Sequence, residues 1–159
     1  MFRVLFFIAI CLFTLNGSII HFEEEKYIEV VDNSFLKKGT LEFIDKKIKL
    51  QYKDSNKVLV YEDDSLNIYI DNEVKKVDLN SQVALRTIFV IIESIYKNDL
   101  EVLEEFFIIS KKDHITLLKP KEALENYIKV IEFKKNKTLE FITIFMTNGN
   151  KTTIREIND

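Results

Sequence analysis

The sequence predicts a mainly β protein of the α+β class, in which one long helix accompanies an antiparallel sheet. The first observation is a series of short segments whose apolar residues recur at every second position, as in half-buried strands. The second is that clusters of Asp, Asn and Ser separate these segments at close, regular spacing, which is typical of an antiparallel meander. The third is a stretch at residues 83–97 that lacks turn residues and has helical periodicity.

Six predicted strands precede the helix. The segment 19–31 would place Ile20, Phe22, Ile28 and Val30 on one face. The two segments that follow would place Leu41 and Phe43, and then Ile48, Leu50 and Tyr52, on one face each. Polar turns at residues 54–56, 63–65 and 71–73 introduce three further strands, KVLVYED, LNIYID and VKKVDL.

Residues 83–97 are predicted to form the helix. Its apolar side chains share one broad arc: Ala84, Leu85, Ile88, Phe89, Ile91, Ile92, Ile95 and Tyr96. This arc covers about 160°, more than the stripe of roughly 100° that is usual for a surface helix. Arg86, Glu93 and Lys97 lie opposite, with Thr87 and Ser94 near them, and Asn80 or Ser81 could cap the start. The β-branched residues favour a strand, but the length and the period favour a helix.

Further strands are predicted after the helix. A short second helix over LEVLEEFF comes first, then the strands FIISKKD and ITLLKPK, then a helical or loop segment, KEALENY. The segments YIKVIEFKKN, TLEFITIFMTN and KTTIREI would form two hairpins that turn at residues 136–137 and 148–150, the latter with an Asn-Gly signal. In the middle segment, alternation would put Leu139, Phe141 and Phe145 on one face and Ile142, Ile144 and Met146 on the other.

The N-terminus has the pattern of a secretory signal. Arg3 precedes an apolar run at residues 4–15, and small or polar residues follow at 16–18. The run is shorter than the roughly 20 residues that a membrane-spanning helix needs. We therefore expect residues 1–17 to be a signal peptide and residues 18–159 to be one exported domain; a retained anchor or a buried helix are the alternatives. Removal of the signal would also remove Cys11, the one cysteine.

Composition and motifs argue against several functions. The formal net charge of −3, with both signs interspersed, does not favour nucleic-acid binding. His21 and His114 have no neighbours at metal-ligand spacing. The sequence contains no nucleophile elbow, phosphate loop or dinucleotide fingerprint. The prediction is a protein that is not an enzyme and that uses neither a metal nor a cofactor.

Two arrangements of the helix remain open at this point. The simpler one is a core in which the helix packs on one face of a sheet. In the other, the helix lies inside a half-closed sheet, where it lines and plugs an apolar cavity. The wide apolar arc of the helix, and strands that are apolar on both faces, are compatible with the second arrangement.

Several short motifs resemble the periplasmic carriers of outer-membrane lipoproteins, the LolA-like family. They are the strand containing Lys38-Gly39-Thr40-Leu41-Glu42-Phe43, the strand that ends near Tyr52, the following VLVYEDD, the step Leu118-Lys119-Pro120, and the terminal hairpin built on Gly149 with its Thr-rich strand. The resemblance spans nearly all of the chain after the signal. The sequence departs from the family in lacking room for a helix before the first strand, in having Lys46-Lys47 where an Arg-Pro step is common, and in lacking a proline after the aromatic strand.

The resemblance implies a curved, incompletely closed antiparallel β-barrel, or half-shell, with the amphipathic helix packed on its concave side as a lid. It implies lipid binding by Leu41, Phe43, Leu50, Tyr52, Leu85, Ile88, Phe89, Ile92, Ile95, Phe141 and Phe145. Such a protein is a monomer in the periplasm of a Gram-negative bacterium, and it carries acyl chains of lipoproteins from an inner-membrane donor to an outer-membrane acceptor. The alternatives are a carrier of another lipid or glycolipid, and an envelope sensor or interaction module that transports nothing.

Overall fold

Eleven strands and one long helix make up the described part of the chain. The computed structural model describes residues 18–158. The strands are β1 (Ser18–Ile28), β2 (Asn33–Ile44), β3 (Lys47–Tyr52), β4 (Lys57–Glu62), β5 (Ser65–Ile70), β6 (Glu73–Asp78), β7 (Phe107–Lys112), β8 (Ile115–Pro120), β9 (Ile128–Lys135), β10 (Leu139–Met146) and β11 (Lys151–Glu156). The helix α1 spans Val83–Lys97, within the predicted range. The predicted signal peptide, with Cys11, lies outside the described residues.

All eleven strands belong to one antiparallel sheet in the order β6-β5-β4-β3-β2-β1-β11-β10-β9-β8-β7. Two meanders, β1–β6 and β7–β11, meet where β1 pairs with β11. We call β1–β6 the first half and β7–β11 the second half. Within residues 18–158, the edge strands β6 and β7 do not pair with each other, so the sheet is not closed. Side chains of α1 pack against both halves, which means that the sheet curves around the helix. The predicted fold class is confirmed.

Aspartates build the tight turns, as their clusters predicted. The β4–β5 turn has positive φ angles at Asp63 (46°) and Asp64 (56°), and the β7–β8 turn has them at Asp113 (49°) and His114 (65°). Two successive residues with positive φ are the requirement of the type I′ turn, whose twist matches that of antiparallel strands. Asp and Asn tolerate this conformation better than most residues.

The local predictions around the helices are partly confirmed. KEALENY contains a short 3-10 helix, Glu122–Asn126, as predicted for a helical or loop segment, and LEVLEEFF forms a 3-10 helix of five residues, Glu101–Glu105. Asn80 and Ser81 do not cap α1, because they belong to a 3-10 turn, Leu79–Ser81, that precedes it. The side chain of Asp78 accepts the backbone N–H of Asn80 at 3.0 Å, and Gln82 occupies the cap position without a side-chain bond.

The predicted faces of β10 are correct except for Leu139, but the face that meets the core is the one with Ile142 and Ile144. Ile142 and Ile144 are buried in the core, whereas Phe141 and Phe145 are half-buried and belong to neither apolar cluster. Leu139 reaches the core as well, because the pairing of β10 with β9 shifts register between Leu139 and Phe141. A bulge of this kind breaks the alternation on which the prediction depended. Phe141 and Phe145 therefore point away from α1.

Gly39 allows β1, β2 and β3 to pack closely beneath the helix. A Cβ atom at this position would lie 2.5 Å from the Gln51 carbonyl oxygen and 2.7 Å from Cζ of Phe22. Both separations are well below a normal van der Waals contact. Glycine thus lets the buried ring of Phe22 lie across β2, where its edge meets the ring of Tyr52 at a centroid distance of 5.7 Å.

Candidate functional site

Two apolar clusters surround α1, one in each half of the sheet. The first-half cluster has as its buried members Ile20, Phe22, Leu41, Ile48, Tyr61, Leu66, Leu79, Phe89 and Ile92. The second-half cluster has as its buried members Ile91, Ile95, Leu103, Phe107, Leu118, Leu124, Ile128, Ile131, Phe133, Leu139, Ile142 and Ile144. Ile88, Tyr96 and Ile154 pack against both. The helix is thus shared between two cores.

The structure brings together nine of the eleven residues predicted to bind lipid. Leu41, Phe89 and Ile92 are buried in the first-half cluster. Phe43, Leu50, Tyr52, Leu85 and Ile88 are half-buried and pack against it. Ile95 belongs to the second-half cluster. Phe141 and Phe145 lie apart, on the opposite face of the sheet. Whether the nine bind lipid stays a prediction.

The predicted lipid-binding set did not include two aromatic residues on the first-half side, Tyr61 of β4 and Tyr96 of α1. Tyr61 stacks on Phe89 with ring centroids 4.8 Å apart and planes 4° from parallel. Tyr96 meets Phe43 at a centroid distance of 4.9 Å. Burial, with a smaller effect from Asp64, raises the pKa of Tyr61 to about 12. Tyr61 lies two residues after Leu59 in KVLVYED and therefore on the same face of the strand. This alternation could have placed Tyr61 in the core.

The two clusters differ in how completely they exclude water. In the second-half cluster, Leu103, Leu118 and Ile131 have no exposed surface, whereas in the first-half cluster this holds for Leu79 alone. The first half holds a larger set of apolar side chains that are only half-buried: Phe43, Leu50, Tyr52, Leu59, Ile68, Val77 and Leu85. The packing around α1 is therefore tighter on the second-half side than on the first-half side.

A small apolar cavity remains between α1 and the sheet. Its volume is about 10 Å³, and it is lined by Leu41, Ile92, Ile95, Tyr96, Leu139, Ile142 and Ile154. A space of this size holds about one water molecule at most. The helix thus fills the concave side, and an acyl chain could enter only if part of α1 moved away.

An ion pair connects the first turn of α1 to the first half of the sheet. Nε of Arg86 donates to Oδ1 of Asp64 at 2.7 Å, and a terminal nitrogen donates to Oδ2 at 3.1 Å. The Tyr61 hydroxyl lies 3.3 Å from the same carboxylate. The hydrogen bonds from Arg86 lower the pKa of Asp64. Both partners are about one-third exposed, so this contact is weaker than a buried pair.

A lysine connects the last turn of α1 to the second half. Nζ of Lys135, at the end of β9, donates to the carbonyl oxygens of Ile95 (2.7 Å) and Tyr96 (3.2 Å) and to Oδ1 of Asn98 (2.9 Å). The terminal carbonyls of a helix have no partner within it, and a cation there also interacts favourably with the helix dipole. Burial lowers the pKa of Lys135. Asn98 ends the helix in the left-handed conformation, with φ of 56°.

Two polar residues of α1 are buried rather than exposed, contrary to the prediction. Thr87 and Ser94 share a helical face with Ile91, which belongs to the second-half cluster. The Thr87 hydroxyl donates to the Val83 carbonyl at 2.7 Å, so its burial leaves no unpaired donor. The second half thus covers more of the helix than the apolar arc alone indicated.

The described residues contain few features of other functional classes. Within residues 18–158, no three His, Cys, Asp or Glu side chains come together as a metal site. In the same part of the chain, no helix has the length and apolar character required to cross a membrane. The arrangement is therefore an apolar interior with polar contacts at the two ends of its helix.

Comparisons with known proteins show a likeness to solved structures. Neither the family models nor the curated proteins contain a match to this chain. Among solved structures, the chain is similar to a crystal structure from Vibrio parahaemolyticus that is described as an outer membrane lipoprotein-sorting protein domain. The two share 11% sequence identity, and the match has a TM-score of 0.49 and covers 89% of this chain and 83% of that one.

Proposed function

We propose that this protein is a periplasmic carrier that shields acyl chains of lipoproteins, or of other lipids, between α1 and the first half of the sheet. The observation that supports it is a long apolar helix that fills the concave side of an unclosed sheet and leaves almost no free volume. A plain structural core would account for the second-half contacts. It would not account for the many half-buried apolar side chains on the first-half side.

In the binding step, an acyl chain would replace the first-half side chains as the packing partner of α1, and hydrophobic burial would supply the free energy. Burying one methylene group contributes about 0.8 kcal/mol, so a chain of about 15 methylenes gains roughly 12 kcal/mol on leaving water. Moving α1 away would expose Phe89 and Ile92 and the first-half side chains beneath them. An acyl chain in the vacated space would cover the same apolar surfaces again. The cost of opening is thereby largely offset by the ligand.

The unequal contacts at the two sides of α1 indicate which side would open. On the first-half side the helix is held by the buried Phe89 and Ile92, by a larger number of half-buried side chains and by the partly exposed Arg86–Asp64 pair. On the second-half side it is held by fully buried residues and by Lys135. We therefore expect α1 to remain with the second half and to separate from the first.

Transfer by this protein would be passive. The sequence has no nucleotide-binding motif, so the lipid would pass from an inner-membrane donor to the carrier and on to an outer-membrane acceptor by differences in affinity. The protein would act as a monomer and catalyse no reaction. Its helix must be stable enough to shield the chains and loose enough to release them.

Native mass spectrometry would test this function. The protein would be expressed as the full chain, purified from the periplasm without detergent, and then mixed with a synthetic triacylated lipopeptide. We expect a mass increase from bound lipid or lipopeptide. A clean unliganded mass with no uptake would contradict the carrier function and favour an envelope interaction module.

A matched pair of helix variants would locate the binding surface. Ile92→Ser changes a buried side chain that lines the cavity, whereas Val83→Ser changes an exposed residue of the same helix. Circular dichroism would establish that both variants fold. Loss of uptake in Ile92→Ser alone is the expected result, and equal uptake by both folded variants would exclude α1 as the lid.

A further inference from the structure

A second, much larger cavity opens at the end of the concave face in the first half. Its volume is about 490 Å³, within the range of small-molecule sites. It is lined by Leu36, Lys37, Lys38, Tyr52, Asp54, Ser55, Lys57 and Leu59. We call this cavity the rim pocket. Unlike the cavity under α1, it combines apolar surface with charged groups.

The rim pocket is continuous with the apolar site through shared residues. Tyr52 and Leu59 line the pocket and also pack against the first-half cluster. On β2, Lys37 is two and four residues from Gly39 and Leu41, so it shares their concave face, and on β4 Lys57 shares the face of Leu59 in the same way. The concave surface is therefore apolar beneath α1 and becomes cationic at the rim.

The charges of the rim pocket favour an anion. Three lysines and one aspartate line it, and Glu24 lies opposite Lys37 in the β1–β2 register, so the lysines exceed these two acidic groups by one formal charge. Lys38 is 3.5 Å from Glu23, outside the lining, whereas Nζ of Lys37 lies 5.3 Å from the centre of the Tyr52 ring. The Tyr52 hydroxyl donates to Oε2 of Glu24 at 2.7 Å, which holds the ring in place as a wall of the pocket. Lys37 and Lys57 are the cations best placed to meet a ligand.

We propose that the rim pocket binds the anionic head of an amphiphile, a phosphate or a carboxylate, while its chain passes Tyr52 and Leu59 toward the site under α1. This inference rests on the proposed function, and it specifies the ligand as a lipid with a negatively charged head. Lys37 and Lys57 supply charge-assisted hydrogen bonds to the head. Leu59 provides apolar contact for the first part of the chain.

Calorimetric titration with two lysolipids of equal chain length would test the proposal. Lysophosphatidylglycerol has an anionic head and lysophosphatidylcholine a zwitterionic one, and both would be used below their micelle concentrations. We expect the full-length wild-type protein to bind the anionic lipid about tenfold more tightly, with a preference that weakens at high salt. Glycerol phosphate, which has the head without the chain, should bind at least a hundredfold more weakly.

Charge-removing variants would assign the preference to the pocket. In Lys37→Gln/Lys57→Gln we expect the anionic preference to disappear and the affinity for lysophosphatidylcholine to stay within about twofold. The control Lys111→Gln/Lys112→Gln removes two exposed lysines of β7 outside the pocket and should keep the preference. An unchanged preference in the pocket variant, or an equal loss in both, would overturn the assignment.

The remaining outcomes separate this inference from the proposed function. If wild-type protein bound both lysolipids equally well, the rim pocket would not select the head, but the apolar site would stand. If it bound neither lysolipid, nor the lipopeptide, the carrier function would fail as well. If glycerol phosphate bound as tightly as the anionic lysolipid, the pocket would be a site for free phosphate compounds, and the proposal would be wrong.

Discussion

The two halves of the sheet hold the same helix in different ways. The second-half cluster, which includes Ile91 and Ile95 of α1, contains Leu118 and Ile131 without exposed surface, and Lys135 donates to the last carbonyls of the helix. The first-half cluster includes the buried Phe89 and Ile92 of α1, but it has more half-buried side chains, and it adds one stacked ring pair and one partly exposed ion pair. This difference shows that one side of α1 can stabilise the fold while the other side can separate from the sheet. Fully buried packing resists separation, whereas half-buried packing can be exchanged for a ligand.

The largest expected effect is a change in unfolding free energy when one leucine in each half is replaced by alanine. Leu118→Ala in the second half should lower the free energy of unfolding by about 3–5 kcal/mol, because it leaves a cavity in fully buried packing. Leu59→Ala in the first half removes a half-buried side chain and should cost about 1–2 kcal/mol. Urea denaturation would measure both. Equal losses would contradict the difference between the halves.

A smaller loss is expected on removing the lysine at the end of the helix. Lys135→Met keeps most of the apolar stem but removes the Nζ donor from the carbonyls of Ile95 and Tyr96, and Ile95 keeps only the long bond from the Asn98 N–H at 3.4 Å. We expect a loss of about 1–2 kcal/mol in unfolding free energy and faster amide exchange in the last turn of α1. Hydrogen exchange with mass spectrometry would detect the change. Unaltered exchange in that turn would show that Lys135 does not stabilise the helix end.

The ion pair at the other end should matter more for opening than for stability. Asp64→Asn should cost only about 0.5–1 kcal/mol, because the pair with Arg86 is partly exposed. It should nevertheless speed the uptake of an acyl ligand, since this pair joins α1 to the half that opens. Stopped-flow mixing would compare uptake by this variant and by Lys135→Met. Faster uptake in Lys135→Met than in Asp64→Asn would reverse our assignment of the opening side.

The smallest effect concerns pH. Because the folded-state pKa of Asp64 is lowered, its pair with Arg86 contributes stability above the unfolded pKa, near 3.8. That contribution is lost as the pH falls through the lower folded value. The difference in unfolding free energy between wild type and Asp64→Asn should therefore be constant near neutral pH and shrink below about pH 4. A difference in unfolding free energy that grew on acidification would contradict this prediction.

Much of the fold could be predicted from the sequence because its signals are local. Alternation located the strands, aspartate clusters located the turns, and the helical period located α1. The site was harder to predict from the sequence, because the bulge after Leu139 places Phe141 and Phe145 on the face away from the helix. The polar contacts at the two ends of α1 join residues 22 and 40 positions apart, and no local pattern reveals such pairs. The burial of Thr87 and Ser94 likewise depends on how far the sheet curves.

Quenching of single tryptophans by a brominated acyl chain would test the central claim most directly. The chain has no tryptophan, so Phe89→Trp would report only from the first-half side of α1, and Phe133→Trp only from the second-half cluster. If acyl chains enter between α1 and the first half, the first variant should lose most of its fluorescence and the second should keep it. Equal quenching of both, or quenching of Phe133→Trp alone, would contradict this account.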